Sequence, residues 1–111
     1  MNDRHATPSW TFLTNHARVL VCIGQDPGVR LREIGERVGI TERAAHGIVV
    51  ELAAAGYITR RRDGRRNHYT INAEVPLHDP IAPERNVGQL LEILIAADRS
   101  EERVHGTGTS A

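Results

Sequence analysis

The 111-residue chain has no lysine, one cysteine and only four aromatic side chains. The single cysteine, Cys22, excludes an internal disulfide framework and a multi-cysteine zinc site. No apolar run approaches the roughly 18–20 residues of a membrane span, and the first residues lead into no apolar segment of a secretory signal. Arginine without lysine is typical of GC-rich bacterial genomes. We expect a soluble, cytoplasmic bacterial protein with one small core and no membrane partner.

The net charge is zero, but the charges are unevenly distributed. Residues 1–73 contain 11 arginines and 7 acidic residues, whereas residues 74–111 contain 3 arginines and 7 acidic residues. The local balance, rather than the overall one, therefore indicates the partner. The strongest cluster lies within residues 57–71 and has five arginines and one aspartate: Arg60, Arg61, Arg62, Arg65, Arg66 and Asp63. Such a patch is typical of a surface that faces a polyanion.

Residues 10–73 are predicted to form one domain of helices and a β-hairpin. Thr14 and Thr41 are suited to be the N-caps of the first and third helices, and Gly56 lies where a glycine commonly ends a helix. Asp63-Gly64 is favoured in the two-residue loop of a type I′ hairpin. The predicted elements are a helix at about 15–25, a short strand at 29–31, a helix at 32–38, a helix at about 41–55, and β runs at 57–62 and 65–72.

Residues 31–50 match the pattern of a helix-turn-helix. Gly35 meets the need for a small residue where two helices cross closely, and Gly39 meets the need for positive φ in the turn. The apolar residues that face the partner helix or the core are Ile34, Val38, Ile40, Ala45 and Ile48. A basic hairpin follows directly.

With these features the chain resembles the winged helix-turn-helix transcriptional regulators of the MarR type, in particular their small single-domain bacterial members. The resemblance is carried by segments 39–45, 55–58 and 64–69, and it covers about residues 10–73. It implies a mainly α fold with a small β-hairpin, a winged helix-turn-helix, here with an additional C-terminal helix. It also implies homodimeric binding to double-stranded DNA, with the third helix in the major groove and the hairpin, the wing, beside or in the minor groove.

Candidate DNA contacts lie on the outer side of the third helix and along the wing. Arg43 is suited to guanine, Glu42 to a cytosine amine, and Thr41 to a phosphate, while His46 is suited to a phosphate or a base. The wing arginines supply charge for the backbone or a narrow groove. The expected DNA-binding residues are Thr41, Glu42, Arg43, His46, Arg60, Arg61, Arg62, Arg65, Arg66 and Asn67.

Outside this domain we expect a flexible lead-in at 1–9, a proline-spaced connector at 74–83, a helix at 84–99 and a disordered tail at 100–111. The helix is too apolar on all sides to be covered by one small core, so we predict that it forms a dimer interface. Docking of the helix onto its own domain is the alternative. The predicted interface residues are Val87, Leu90, Leu91, Leu94 and Ile95.

Other functions stay open at this point. Gly47 and Val50 lie on the outer side of the third helix, where a contact to DNA is expected, and they favour an alternative: a winged-helix module that binds another protein. The residues do not distinguish RNA binding by the wing from DNA binding. A small-molecule effector is a further candidate partner, although the composition identifies no ligand pocket. No catalytic set and no metal-ligand spacing stands out, so we expect neither an enzyme nor a cofactor or metal.

Overall fold

The computed structural model describes residues 6–95, which form four helices and one two-stranded sheet. In chain order these are α1 (Asn15–Gln25), α2 (Leu31–Val38), α3 (Glu42–Ala54), β1 (Ile58–Asp63), β2 (Arg66–Ile71) and α4 (87–95). The predicted fold class, mainly α with a small hairpin, is confirmed. Most of the predicted lead-in, the last four residues of the predicted C-terminal helix and the whole predicted tail lie outside the described residues.

The helix α1 runs through the centre of the core, as its apolar sequence predicts. Thr14 caps it, its Oγ1 accepting a hydrogen bond from the Ala17 amide at 3.1 Å. Side chains on several sides of α1 are buried because α2, α3 and β2 all contact the helix. The buried side chains of α1 are Val19, Leu20, Cys22 and Ile23.

The prediction of a short strand at 29–31 is wrong. Leu31 already begins α2, because the Arg30 amide hydrogen-bonds to the Glu33 carboxylate at 3.1 Å and the Arg30 carbonyl accepts from Ile34. Those capping bonds occupy the groups that a strand would use for pairing. A single backbone hydrogen bond, from the Tyr69 amide to the Pro27 carbonyl at 2.9 Å, joins this loop to β2.

The helix-turn-helix has the geometry that its glycines predict. A Cβ on Gly35 would lie 2.7 Å from the carbonyl oxygen of Ile40, so α2 and the start of α3 cross at backbone distance. Gly39 ends α2 in the left-handed region, with φ of 86°. Thr41 then caps α3, its Oγ1 accepting from the Ala44 amide at 3.0 Å.

The wing is an antiparallel hairpin whose loop differs from the prediction. Asp63 pairs with Arg66, so the loop is Gly64-Arg65 rather than Asp63-Gly64. Gly64 has φ of 65°, and a glycine of positive φ at the first loop position is typical of a type II′ turn. Asn72 sets this register from the other end, because its amide donates to the Tyr57 carbonyl at 2.9 Å and its Nδ2 donates to the Gly56 carbonyl at 2.8 Å.

The helix α4 begins at residue 87, three residues later than predicted. Asn86 caps it in a reciprocal pair with Gln89, both amide-to-side-chain bonds measuring 2.9 Å. Residues just before it pair with the connector, as in the bond from the Leu77 amide to the Arg85 carbonyl. Val87 and Leu91 are 2% and 5% exposed in the chain's own core. The other predicted interface residues, Leu90, Leu94 and Ile95, are partly buried.

The close crossing makes a pair of glycine substitutions informative. Gly35→Ala should lower the free energy of unfolding by about 2 kcal/mol, because the added methyl must displace the backbone of Ile40. At Gly47 of α3 a Cβ would meet nothing within 4 Å. Gly47→Ala should therefore raise the free energy of unfolding by about 1 kcal/mol through helix propensity. Urea denaturation followed by circular dichroism measures both free energies of unfolding. Changes of the same sign in the two variants would contradict the close crossing of α2 and α3.

Candidate nucleic-acid interface

The first turn of α3 presents polar side chains to solvent. Thr41, Glu42, Arg43 and His46 are all exposed. The Thr41 hydroxyl oxygen accepts the capping hydrogen bond of the helix, so Thr41 also serves the fold. Arg43 and His46 therefore project into solvent from near a capped helix end, which fixes the positions from which the two side chains extend.

Beyond this turn the side chains on the outer side of α3 are small and apolar. Arg43, Gly47, Val50 and Ala54 are exposed and follow one another at intervals of four, three and four residues. At 3.6 residues per turn these positions form one line along the helix, opposite its buried side. We call this line the outer stripe of α3. It has one charged side chain, at its N-terminal end.

The wing has arginines on both of its faces. Arg60 lies opposite Tyr69 and Arg62 opposite Asn67, whereas Arg61 lies opposite His68. Neighbouring strand residues point to opposite faces, so Arg60 and Arg62 share the core-facing side and Arg61 the other. All five wing arginines are exposed. A ribbon charged on both faces can lie between two rows of phosphates.

Asn67 contributes to the packing of the wing on the domain. It is partly buried, and its side-chain amide lies near the Tyr69 side chain. Burial raises the pKa of Tyr69, while the neighbouring amide of Asn67 and the charge of Arg60 act in the opposite direction. Tyr69 is therefore a neutral core residue that fixes the base of the wing.

An open cleft of about 560 Å³ separates the wing tip from the start of α2. We call it the arginine cleft, because four guanidinium groups and one carboxylate line it. Arg66 also donates to the Gly28 carbonyl at 3.4 Å, which links the wing to the loop before α2. The lining residues are Gly28, Val29, Arg30, Leu31, Arg32, Glu42, Arg65, Arg66 and Asn67.

Arg30 and Arg32 of this cleft are not among the DNA-binding residues expected from the sequence. Arg30 is the N-cap of α2 and Arg32 lies in its first turn. Positive charge at a helix N-terminus is unfavourable, because that end of the helix dipole is itself positive. Two arginines at the N-terminus of α2 lower the stability of the helix, and this unfavourable placement in the sequence could have indicated that they bind an anion.

A second, apolar surface lies near the two ends of the described chain. The rings of Trp10 and Phe12 meet edge to face at 5.0 Å between centroids, and Phe12 is 90% exposed. In α4, Ile93 is 72% exposed. Leu13 and Leu94 line one shared cleft, so residues 10–13 adjoin α4. Exposed aromatic and aliphatic side chains of this kind are typical of protein interfaces.

That shared cleft, of about 300 Å³, reaches Cys22 between α1, α2 and α4. Burial raises the pKa of the Cys22 thiol, while the nearby charges of Arg37 and Arg18 lower it to a smaller extent. The thiol is therefore protonated at neutral pH and packs as a small apolar group. We call the cavity the α1–α4 cleft; its lining residues are Leu13, Arg18, Val21, Cys22, Arg37, Val38 and Leu94.

Two further kinds of site can be assessed for residues 6–95. None of the helices in this range is long and apolar enough to cross a membrane. No three histidine, cysteine or acidic side chains in the range are placed to hold a metal ion together.

Comparison with known proteins agrees with this architecture. A MarR-family protein of Mycobacterium tuberculosis in complex with salicylic acid matches at a TM-score of 0.52 and 21% identity, over 84% of this chain and 65% of that one. The PcaV transcriptional regulator of Streptomyces coelicolor in complex with its natural ligand matches at a TM-score of 0.49 and 23% identity, over 87% of this chain and 77% of that one. This chain thus spans just under two thirds of the mycobacterial protein's length. No curated protein sequence is significantly similar to it.

The family model supplies the sequence-level match. The model of the MarR family matches residues 11–66, which include α1, the helix-turn-helix, β1 and the wing loop. This is half of the 111-residue chain. The chain therefore belongs to the MarR family and has the winged-helix fold of its transcriptional regulators.

Proposed function

We propose that the protein is a transcriptional regulator that binds double-stranded DNA as a homodimer, in the cytoplasm of a bacterium and on its nucleoid. In this proposal α3 enters the major groove, and the wing lies on the backbone or in the minor groove. The arginine cleft carries the proposal, because it joins α2, the start of α3 and the wing at one positively charged surface. A duplex is a polyanion long enough to reach all three elements. The function includes no catalytic step and no cofactor.

Each group of residues has a distinct role in this mode of binding. Arg43 donates two hydrogen bonds to a guanine, and Glu42 accepts from a cytosine amine. Thr41 and His46 contact the backbone beside them. The remaining contacts neutralise phosphates and hold the register of the protein on the duplex; they come from Arg30, Arg32, Arg60, Arg61, Arg62, Arg65, Arg66 and Asn67.

Arginine substitutions separate base reading from phosphate binding. On duplexes enriched from a random-sequence library, Arg43→Ala should cost about 1–3 kcal/mol and relax the preference at one base pair. Arg32→Ala and Arg65→Ala should weaken all duplexes evenly and each reduce the slope of log affinity against log salt by about 1. Fluorescence anisotropy at several salt concentrations measures these effects.

The matched control is Arg85→Ala, since Arg85 is exposed just before α4 and does not line the arginine cleft. It should leave affinity and salt slope unchanged. Duplex RNA of the same sequence serves as the competing polyanion. Salt-independent binding, or stronger binding of the RNA, would count against the proposal.

The proposed dimer uses the apolar surface at residues 10–13 and α4. Val87 and Leu91 anchor α4 in the core, and Leu90, Leu94 and Ile95 remain partly exposed beside Ile93. A two-fold pair would place two copies of α3 about one turn of DNA apart, as dimeric helix-turn-helix proteins require.

A charged residue on this surface should separate the two copies. Ile93 is exposed in the single chain, so Ile93→Glu should leave the fold intact yet shift the mass from two chains to one and weaken duplex binding. Sedimentation equilibrium of the full chain measures the mass. Ile81→Glu is the control, because Ile81 is equally apolar and 89% exposed on the connector. A wild-type protein that stays monomeric at micromolar concentration would refute the dimer.

The α1–α4 cleft is the proposed site of a small-molecule effector. Its apolar wall and its two arginines, Arg18 and Arg37, suit a small aromatic acid, and the mycobacterial structure holds salicylic acid. Salicylate should raise the melting temperature and change duplex affinity, whereas neutral salicylamide should do neither. Arg18→Gln should abolish the shift. Equal shifts with both compounds would argue against recognition of the carboxylate.

A further inference from the structure

The outer stripe of α3 is short of the polar side chains that usually read bases, and its composition suggests a different means of reading. We propose that Val50, with Gly47 beside it, recognises the 5-methyl group of thymine in the major groove. The inference rests on the proposed function and adds the base that the middle of α3 selects. Apolar contact with this methyl group is the one feature of a thymine edge that requires no hydrogen-bonding partner.

The first support is the steric profile of the stripe. A Cβ at Gly47 would meet nothing within 4 Å, and Val50 is 48% exposed. The helix backbone can therefore approach a base edge more closely at Gly47 than at any position with a side chain. One helical turn further along, the two methyl groups of Val50 extend only a short distance, which suits contact with a methyl group on the groove floor.

The second support is the pairing of apolar surface with positive charge. Val50 forms one wall of a groove of about 430 Å³ between α3 and β1, whose other lining residues include Ala53, Ile58 and Arg60. Arg43 lies at the N-terminal end of the stripe. An apolar strip that has one arginine at its end, suited to a guanine, and a second beside it, suited to a phosphate, matches the major groove, where thymine methyl groups lie between two rows of phosphates.

The same features make a protein partner the less favoured occupant. The centres of protein interfaces are enriched in aromatic residues and methionine. The stripe instead contains glycine, valine and alanine after Arg43. A partner that covered it would also bury Arg43 and Arg60, at a cost unless each were paired. A duplex offers phosphates and guanine acceptors to the arginines and needs only a small apolar contact in the middle.

The spacing of the side chains sets where the thymine should lie. Seven residues separate Arg43 from Val50, which corresponds to about 10 Å along a helix. Bases on one strand are about 3.4 Å apart. The thymine should therefore lie within about three base pairs of the guanine that Arg43 reads.

Replacement of thymine by deoxyuridine tests this inference, because uracil lacks the methyl group but keeps every hydrogen-bonding group. A duplex enriched by the full chain from a random-sequence library is resynthesised with each thymine replaced in turn. For the wild type, one replacement in each half-site, within three base pairs of the Arg43 guanine, should lower affinity about fourfold, the effect of one methyl group. The Val50→Ala variant should bind the thymine duplex and the deoxyuridine duplex with equal affinity. Ile81→Ala, the matched loss of an exposed aliphatic side chain, should keep the fourfold difference.

A second variant tests the close approach. Gly47→Gln adds a long side chain to the stripe without touching the core, and it should weaken every duplex at least tenfold while the melting temperature does not fall. Three results overturn the inference and leave DNA binding in place: no thymine whose replacement matters, a difference that persists in Val50→Ala, or unchanged duplex affinity in Val50→Glu, which would show that Val50 does not contact the duplex. A library from which no sequence is enriched contradicts the proposed function itself.

Discussion

Gly35 lies where the carbonyl of Ile40 passes so close that a Cβ would be 2.7 Å from its oxygen. This contact allows α2 and α3 to cross at backbone distance, and Gly39 turns the chain between them in the left-handed region. The close crossing lets the apolar sides of both helices reach α1 in one small core. It also fixes the direction of α3, and with it every side chain that α3 presents to solvent. A larger residue at the crossing would move the recognition surface as well as loosen the core.

The wing depends on a few backbone contacts rather than on a broad sheet. The Tyr69 amide bonds to the Pro27 carbonyl, and Asn72 bonds to the Gly56 and Tyr57 carbonyls. These bonds place the wing tip beside the start of α2, so arginines 35 positions apart in the chain line one cleft. The repulsion among them is offset only partly by the cleft's own lining, which has one carboxylate beside the four arginines. A bound polyanion would relieve it.

Several elements of the fold follow from local chemistry and could be predicted. Thr14 and Thr41 cap their helices because a side-chain oxygen can satisfy an amide two or three positions on, wherever the helix lies. The wing loop was predicted one residue too early, because both Asp63-Gly64 and Gly64-Arg65 are acceptable loop dipeptides. The contacts of Asn72 at the opposite end of the hairpin, together with the bond from the Tyr69 amide to the Pro27 carbonyl, favour the observed register. The prediction of a strand at 29–31 is wrong because the Glu33 carboxylate accepts from the Arg30 amide, and this helix-capping bond takes the place of pairing with another strand.

The sequence by itself determined the helix-turn-helix, the existence of the wing and the exposed first turn of α3, since each rests on periodicity or on a residue's own conformational preference. Only the tertiary structure decided that Arg30 and Arg32 join Arg65 and Arg66, and that Val87 and Leu91 belong to the core. These outcomes depend on contacts between segments far apart in the chain. Such contacts are selected by packing and by backbone hydrogen bonds, which local propensity does not specify.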